Sequence, residues 1–422
     1  MTPETLLRAL FDRAVEVADP MRSLAAHLPA RPPGRVVVIG AGKASARMAE
    51  AAEAVWGPCE GLVITRYGYA RPCIGIEIVE AAHPVPDAAG LAATARMLDL
   101  LRGLGPDDFV LALISVGASS LLCAPRDGIS LAEKQAINAA LLASGAPIGQ
   151  MNVLRKHLSK VKGGQLAAVA YPARMLALMI SDVPGDDPAL IGSGPTVAET
   201  TTAKDALAVA ARWGIALAAP VLAALQTTIT VGPGDPRLQT TTNRVIAAPT
   251  QSLEAARVLA QTHGCDVQLI GEAVEGEARD VAAAQAAYAM EIAAGMRPGA
   301  APVLLLSGGE LTVTQRGRGV GGPNAEFCLA LAIALNGHPR IHAIACDTDG
   351  VDGAAEVAGA VVTPTTLARS TRDANQALAK NDAHSFFAAL GDQVITGPTL
   401  TNVNDFRAIL IQSPRQGTPK QL

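Results

Sequence analysis

The sequence predicts an α/β protein with a Rossmann-like, mostly parallel sheet, helices on both faces, and a smaller C-terminal α/β domain. Three observations carry this. Short apolar runs of four to seven residues alternate with helix-length periodic stretches, as expected of strands buried on both faces. Aromatics are 3% of a chain that is 50% apolar. The core must therefore be Ala, Leu, Val and Ile, which suits alanine-rich helices lying close on a sheet. Finally, 40 glycines and 28 prolines provide for many tight turns.

Residues 2–29 read as an amphipathic helix that "ARPPGR" breaks. A strand at 36–39 leads into a helix at 43–55, then come strands at 62–65 and 74–79. Asp87 caps a helix running to Leu101, and residues 109–114 form the next strand. Ser130 and Glu133 make a capping box for "LAEKQAINAALLAS", which Gly145 ends. A strand at 175–181 follows. The stretch "TVGPGDPRLQTTTN" (230–243) lacks apolar periodicity and reads as a linker. Beyond it, strands are expected near 244–248, 266–270, 302–306 and 341–346, with helices near 251–262, 277–295 and 324–335.

The net charge of −4, with no basic stripe, gives no reason to expect a nucleic-acid partner. The six cysteines are scattered without CxxC spacing and read as buried thiols in a reducing compartment. The first twenty residues carry acids and arginines through their apolar positions, unlike a signal peptide. No uncharged apolar run reaches roughly 18 residues, so no membrane partner is expected. The expected setting is cytoplasmic, with a small-molecule substrate. The sequence leaves a homodimer open.

The loops after the expected strands hold the chemistry, and in parallel sheets ligands bind outside the carboxyl ends of the strands. In "VVVIGAGKAS", Gly40-x-Gly42 begins a dinucleotide fingerprint, but Ser45 replaces its third glycine. The next strand ends in Thr65 and Arg66 rather than a ribose-binding acid. A Walker loop is excluded, because Val37 and Ala44 stand at its Gly and Ser/Thr positions. What remains is a glycine turn at a helix start, with Lys43 as a point charge for a phosphate.

"ISVGASSLL" offers Ser115, Ser119 and Ser120. "SDVPGDDPALIGSGPT" holds Asp182, Asp186 and Asp187, which suit Mg²⁺ or the orientation of a hydroxyl. "CDTDGVDGA" holds Asp347, Asp349 and Asp352, but Ala358 occupies the place of the calcium-loop glutamate. That favours Mg²⁺ with a nucleotide over calcium. "LLSGGELTV" and "GRGVGGPNAEF" add Glu310 and Asn324. "RKHLSKVKGGQ" brings Arg155, Lys156, Lys160 and Lys162 together for an anionic substrate. His83 and His157 read as structural. Several glycine-rich or acidic loops suit a polyphosphate with a metal better than nicotinamide.

Together, "GAGKAS", "AHPVPD", "RKHLSKVKGGQLA", "SDVPGDDPALIGSGPT", "SGGELTV", "GGPNAEF", "DTDGVDGA" and "TGPTLTNVND" resemble the glycerate 2-kinases with a C-terminal MOFRL domain. Many of that family are labelled hydroxypyruvate reductase, from an association with tartrate degradation. The resemblance spans about residues 4–412. It implies a glycerate kinase domain at 1–235 and a C-terminal part at 236–422, with the MOFRL domain at about 300–412. It implies an active site in the interdomain cleft and ATP- and Mg²⁺-dependent phosphorylation of D-glycerate to 2-phosphoglycerate. Lys43 matches the family's active-site lysine.

The family's second basic residue, an arginine, is replaced by Pro323, leaving Arg316 or Arg318 of the preceding loop as substitutes. Ala325 stands for glutamine, and Val116, Ala118 and Leu400 stand for glycines. The expected roles are catalytic for Lys43, Asp182 and Asp349, and substrate-binding for Arg155, Lys156 and Ser193. Gly40, Gly42, Ser115, Gly117, Ser119 and Asn324 would bind the nucleotide. Asp187, Asp349 and Asp352 would hold the metal. Two alternatives stay open: an NAD(P)H-dependent hydroxypyruvate reductase, and a catalytically impaired metabolite-binding homologue.

Overall fold

The computed structural model describes residues 1–414 apart from Ile229 and Ala354. Two compact units form: Pro20–Ala247, and Met1–Asp19 together with Ala248–Leu422. The boundary thus lies at 247/248, where the sequence suggests 235/236, and the N-terminal helix belongs with the C-terminal half.

The first unit holds six parallel strands: β1 (Val36–Ala41), β2 (Glu60–Arg66), β3 (Ile76–Ala81), β4 (Phe109–Ile114), β5 (Arg174–Ile180) and β6 (Thr241–Ala247). Their order is β3-β2-β1-β4-β5-β6, the doubly wound order whose direction reverses between β1 and β4. Every residue of β1 and β4 is buried, as central strands covered on both faces require. The strand expected to open the second series is β6. It pairs with β5 in register from Met175↔Thr241 and closes the first sheet. Its polar half, "TTNR", alternates between exposed and half-buried, so it lacks the continuous apolar signature of its neighbours. Residues 230–243 are accordingly only in part a linker.

The capping expectations hold. The Asp87 side chain accepts the Gly90 N–H at the start of Ala88–Leu101. Ser130 and Glu133 form the reciprocal box, and Gly145 ends that helix in the left-handed region. The amphipathic stretch at 2–29 divides into a helix Pro3–Ala18, a turn of helix Pro20–Ser23 and a 3₁₀ turn Leu24–His27. Pro20 has no N–H to continue the first helix.

The second unit contains β7 (Asp266–Gly271), β8 (Gly276–Glu277), β9 (Val303–Ser307), β10 (Leu311–Thr312), β11 (Ile341–Asp347), β12 (Gly359–Val362), β13 (Gln393–Val394) and β14 (Asp405–Ile411). Its main sheet runs β13-β12-β11-β14-β9-β7. Only β7 and β9 pair in parallel; the other neighbours are antiparallel. Helix Ala278–Gly295 buries Ala278, Ala282, Ala286, Ala289 and Ala293, a narrow stripe against helix Pro323–Leu335. That second helix is buried on nearly all sides, as an all-round apolar helix must be. Leu7, Leu10, Phe11 and Ala14 of the N-terminal helix join the core of the other face, beside Leu253 and Phe406.

Candidate functional site

The loops after β1 and β4 flank the reversal point of the first sheet. Lys43 follows β1, half-buried, and its N–H donates to Val116 O at 2.8 Å. Gly117 follows β4 at φ +85°. A Cβ there would lie 2.9 Å from His83 Cδ2 and 3.6 Å from Lys43 Cγ. Only glycine keeps open this space between an imidazole and a lysine. Val116 and Ala118 are absent from the positive-φ positions, so these two replacements of family glycines strain no backbone. Among the described residues, no hydrogen bond engages the N–H groups of Val116, Gly117 and Ser119.

The glycines of the opening motif serve the fold instead. A Cβ on Gly40 would sit 2.4 Å from Leu113 O, and one on Gly42 2.0 Å from Ser115 Oγ. Both faces are filled by β4 and its end. The turn's amides are engaged too. Gly42 N–H donates to Ile64 O, Ala44 N–H to Ser115 Oγ and Ser45 N–H to Gly42 O. With Lys43 also bonded, all four amides of residues 42–45 are engaged within the protein. Ser115 is wholly buried; its Oγ accepts the Ala44 N–H and meets Ser45 Oγ, both at 3.0 Å. It builds the turn rather than lining a ligand.

A second convergence lies beside Gly117. Gly192, Ser193 and Gly194 all adopt positive φ, at 59°, 65° and 60°. For serine this is a strained conformation, of a kind that collects at functional sites. Gly163 N–H donates to Ser193 O and Gly164 N–H to Gly194 O, which ties the "KGG" turn to the "GSG" turn. The Ser193 hydroxyl then meets Ser119 Oγ at 2.8 Å and Asn152 Oδ1 at 3.2 Å. Lys162 Nζ donates to Ser119 O at 2.6 Å. Burial, with Lys134 and Arg155 nearby, holds the Lys162 ammonium well below its ordinary pKa. Arg155 Nε reaches Asn138 Oδ1 at 3.2 Å.

Lys156 points to a different partner. Its Nζ lies 3.0 Å from Glu199 Oε2, and Glu199 also accepts Thr201 N–H and Oγ1–H at 2.7 Å. This ion pair engages the Lys156 ammonium, which the sequence assigns to the substrate. Both ring nitrogens of buried His157 face carbonyl oxygens, of Val153 and Thr201. Asp182 follows β5, half-buried. Exposed Asp187 spends one oxygen on Ala189 N–H at 2.9 Å.

In the second unit, Asp352 caps helix Pro323–Leu335. Its Oδ1 accepts Asn324 N–H at 2.9 Å, and its Oδ2 accepts Ala325 N–H at 2.8 Å. His384 Nε2 lies 3.1 Å from the same Oδ2. Both oxygens of Asp352, which is 1% exposed, are thus engaged within this unit. Asn324 is fully buried, and its Nδ2 donates to Asp405 Oδ1 at 2.7 Å. Its role is in this network, not at a nucleotide. Asp349 accepts Val351 N–H at 2.8 Å and Asn402 Nδ2–H at 3.3 Å. Arg316 and Arg318 are exposed, while Asn381 Oδ1 anchors their loop through the Arg316 and Gly317 N–H groups. Among the described residues no three His, Cys, Asp or Glu side chains form a group that could hold a metal ion.

Lys134 and Arg407 escaped the sequence reading. Lys134 stands in phase with buried Ile137 and Leu141, and a lysine within such an apolar stripe is the signal that could have found it. Arg407 interrupts the apolar strand "DFRAILI". Fully buried, it donates to Gly308 O, to Gly309 O at 3.0 Å and to Asp405 Oδ2 at 3.1 Å.

The fold and site define an α/β protein with basic, glycine-rich loops at the reversal point of a doubly wound sheet, and a second, mixed-sheet unit. A family model described as "Domain of unknown function (DUF4147)" matches residues 6–226, and the MOFRL family matches 303–405. A protein of Agrobacterium vitis named "Putative hydroxypyruvate reductase" is 50% identical over 415 residues, covering 96% of this chain and 94% of its own. The D-glycerate 2-kinase of Thermotoga maritima is 38% identical over 413 residues, covering 96% of this chain and 98% of its own. The crystal structure of a glycerate kinase from that organism has a TM-score of 0.87 at 36% identity, covering 97% of this chain and all of its own. The chain belongs to the glycerate kinase family that carries a MOFRL domain.

Proposed function

We propose that the protein phosphorylates D-glycerate at O2 with ATP and Mg²⁺, giving 2-phosphoglycerate and ADP. The observation that carries this is the cradle over Gly117. It combines open amides, the Lys43 cation and the Ser119–Ser193 hydroxyls at the reversal point of the sheet, in a chain similar along its length to glycerate kinases.

Phosphoryl transfer requires positioning and neutralisation of charge more than covalent chemistry. The N–H groups of Val116, Gly117 and Ser119 receive phosphate oxygens. Lys43 neutralises charge on the transferring group. Arg155 and Ser193 hold the hydroxy acid. Asp182 takes the proton from its 2-hydroxyl as the new P–O bond forms and the bond to ADP breaks. Asp349 remains the candidate catalytic group of the second unit. Mg²⁺ would supply charge neutralisation at the phosphates, and such a site typically needs only one or two carboxylates from the protein. The uncommitted oxygen of Asp187 fits that demand, and Asp352 does not.

The engaged amides of residues 42–45 argue against the reductase reading, since a nicotinamide dinucleotide needs such amides for its pyrophosphate. The test supplies D-glycerate, ATP and Mg²⁺, and separately hydroxypyruvate with NADH or NADPH. ADP should form with glycerate only. Lys43→Ala should lower turnover by about 10²–10³-fold with an unchanged melting profile. Near-normal turnover in that variant would sink the assignment of Lys43.

A further inference from the structure

Among the described residues of the first unit, three cations meet with no carboxylate acting on them. Lys134 is 5% exposed and Lys162 1%. Arg155 lies beside them, bonded to Asn138, which is one helical turn beyond Lys134 on the same helix face. Lys162 gives one N–H to Ser119 O. Among the described residues, Lys134 has no hydrogen-bond or ion-pair partner, and the Arg155 Nη groups have no acceptor. The electrostatic neighbours of the two lysines are each other, Arg155 and Cys123. Burial pushes the Cys123 thiol up, so it stays neutral. Asp87 acts on Cys123 but is not among the groups acting on the three cations. Buried charges are ordinarily paired or hydrogen-bonded. A cluster of one sign, with its remaining donors unspent, is arranged for an anion that arrives from outside.

We propose that Lys134, Arg155 and Lys162 form the receptor for the substrate's carboxylate, with Lys134 as the specificity-determining residue that makes a negative charge obligatory. The receptor lies beside Ser193 and Ser119, through the Lys162–Ser119 and Ser119–Ser193 contacts. A carboxylate held there leaves its hydroxyl-bearing carbon toward those serines. The inference rests on the kinase reading for the identity of the acid. The geometry of the receptor does not depend on turnover.

The test uses the full chain and two kinds of measurement. In thermal-shift titrations, D-glycerate should stabilise the protein, and glycerol, its neutral counterpart, should not. Lys134→Met, which removes the charge and keeps the bulk, should weaken D-glycerate binding roughly 30-fold or more. Its KM for D-glycerate should rise in step, with KM for ATP unchanged. Without ligand its melting temperature should be equal or higher, because an unpaired buried charge is gone. Arg155→Lys, which keeps the charge but loses the fork, should weaken binding less. Undiminished D-glycerate binding in Lys134→Met would overturn the proposal. So would equal stabilisation of the parent by glycerol, or by chloride at the same concentration. Lys134-dependent binding of D-glycerate without ADP formation would support the receptor and refute the kinase reading.

Discussion

At the residue scale, the most informative positions are those where a side chain does the opposite of what its type suggests. Leu400 sits at φ +62°, where the family pattern has glycine. A Cβ in the left-handed region costs roughly 1–2 kcal/mol. Leu400→Gly should therefore stabilise the protein by about 1 kcal/mol, seen as a higher urea midpoint, and an unchanged midpoint would refute the strain. Arg407 is the converse, a charge that the second unit is built around. Burial pushes the Asp405 carboxyl up to about 7, and Arg407 pulls against that rise. Arg407→Leu leaves the Gly308 and Gly309 carbonyls and Asp405 buried without their donor. The expected loss is about 3–5 kcal/mol, measured by denaturant unfolding. Lys43, by contrast, was legible from the sequence, because a lysine at a strand-to-helix turn has few structural uses.

At the element scale, the sequence was most transparent where local chemistry is self-contained. The Asp87 cap and the Ser130–Glu133 box involve neighbours three residues apart, and the central strands are apolar throughout. The sequence places β6 in the wrong series and misses β14, both for physical reasons. β6 lies at a sheet edge and is half polar. β14 carries an arginine whose partners, Gly308 and Gly309, come from a distant loop. The site divides the same way. Gly-rich loops at strand ends advertise themselves, so the sequence singles out Gly117, Ser119 and Ser193 as candidates, and Ser119 and Ser193 meet at 2.8 Å. Whether a polar residue in such a loop faces a ligand or serves the loop depends on remote partners. Ser115 is claimed by Ala44, Lys156 by Glu199, and Asn324 by Asp405. Nothing near them in sequence announces that.

At the scale of the whole molecule, the buried cations shape the response to pH. The Lys162 pKa is lowered on folding, mainly by burial, with Lys134 and Arg155 adding to it. The unfolded chain therefore binds more protons between the lowered value and the ordinary one near 10.5, and stability must rise with pH across that window. Protonated Lys162 costs most below it. The stability difference between Lys162→Met and the parent should accordingly shift in the parent's favour as pH is raised toward 10.5. A pH-independent difference would show that Lys162 stays charged throughout. Affinity for D-glycerate should fall over the same range, because the receptor loses charge.

The helix Pro3–Ala18 packs its apolar face against helix Pro249–Thr262, and Ser252 Oγ–H donates to Ala14 O. In the order of synthesis the two partners are separated by the whole of the first unit. The ribosome delivers Leu7, Leu10 and Phe11 before any residue of the first unit, and their cover arrives only after the whole of that unit has been made. During translation this greasy face must wait, with its own unit unable to close around it. An early-acting chaperone that holds the nascent N-terminus would have its natural binding segment there, and a fragment beginning at residue 248 would be born with the complementary groove exposed.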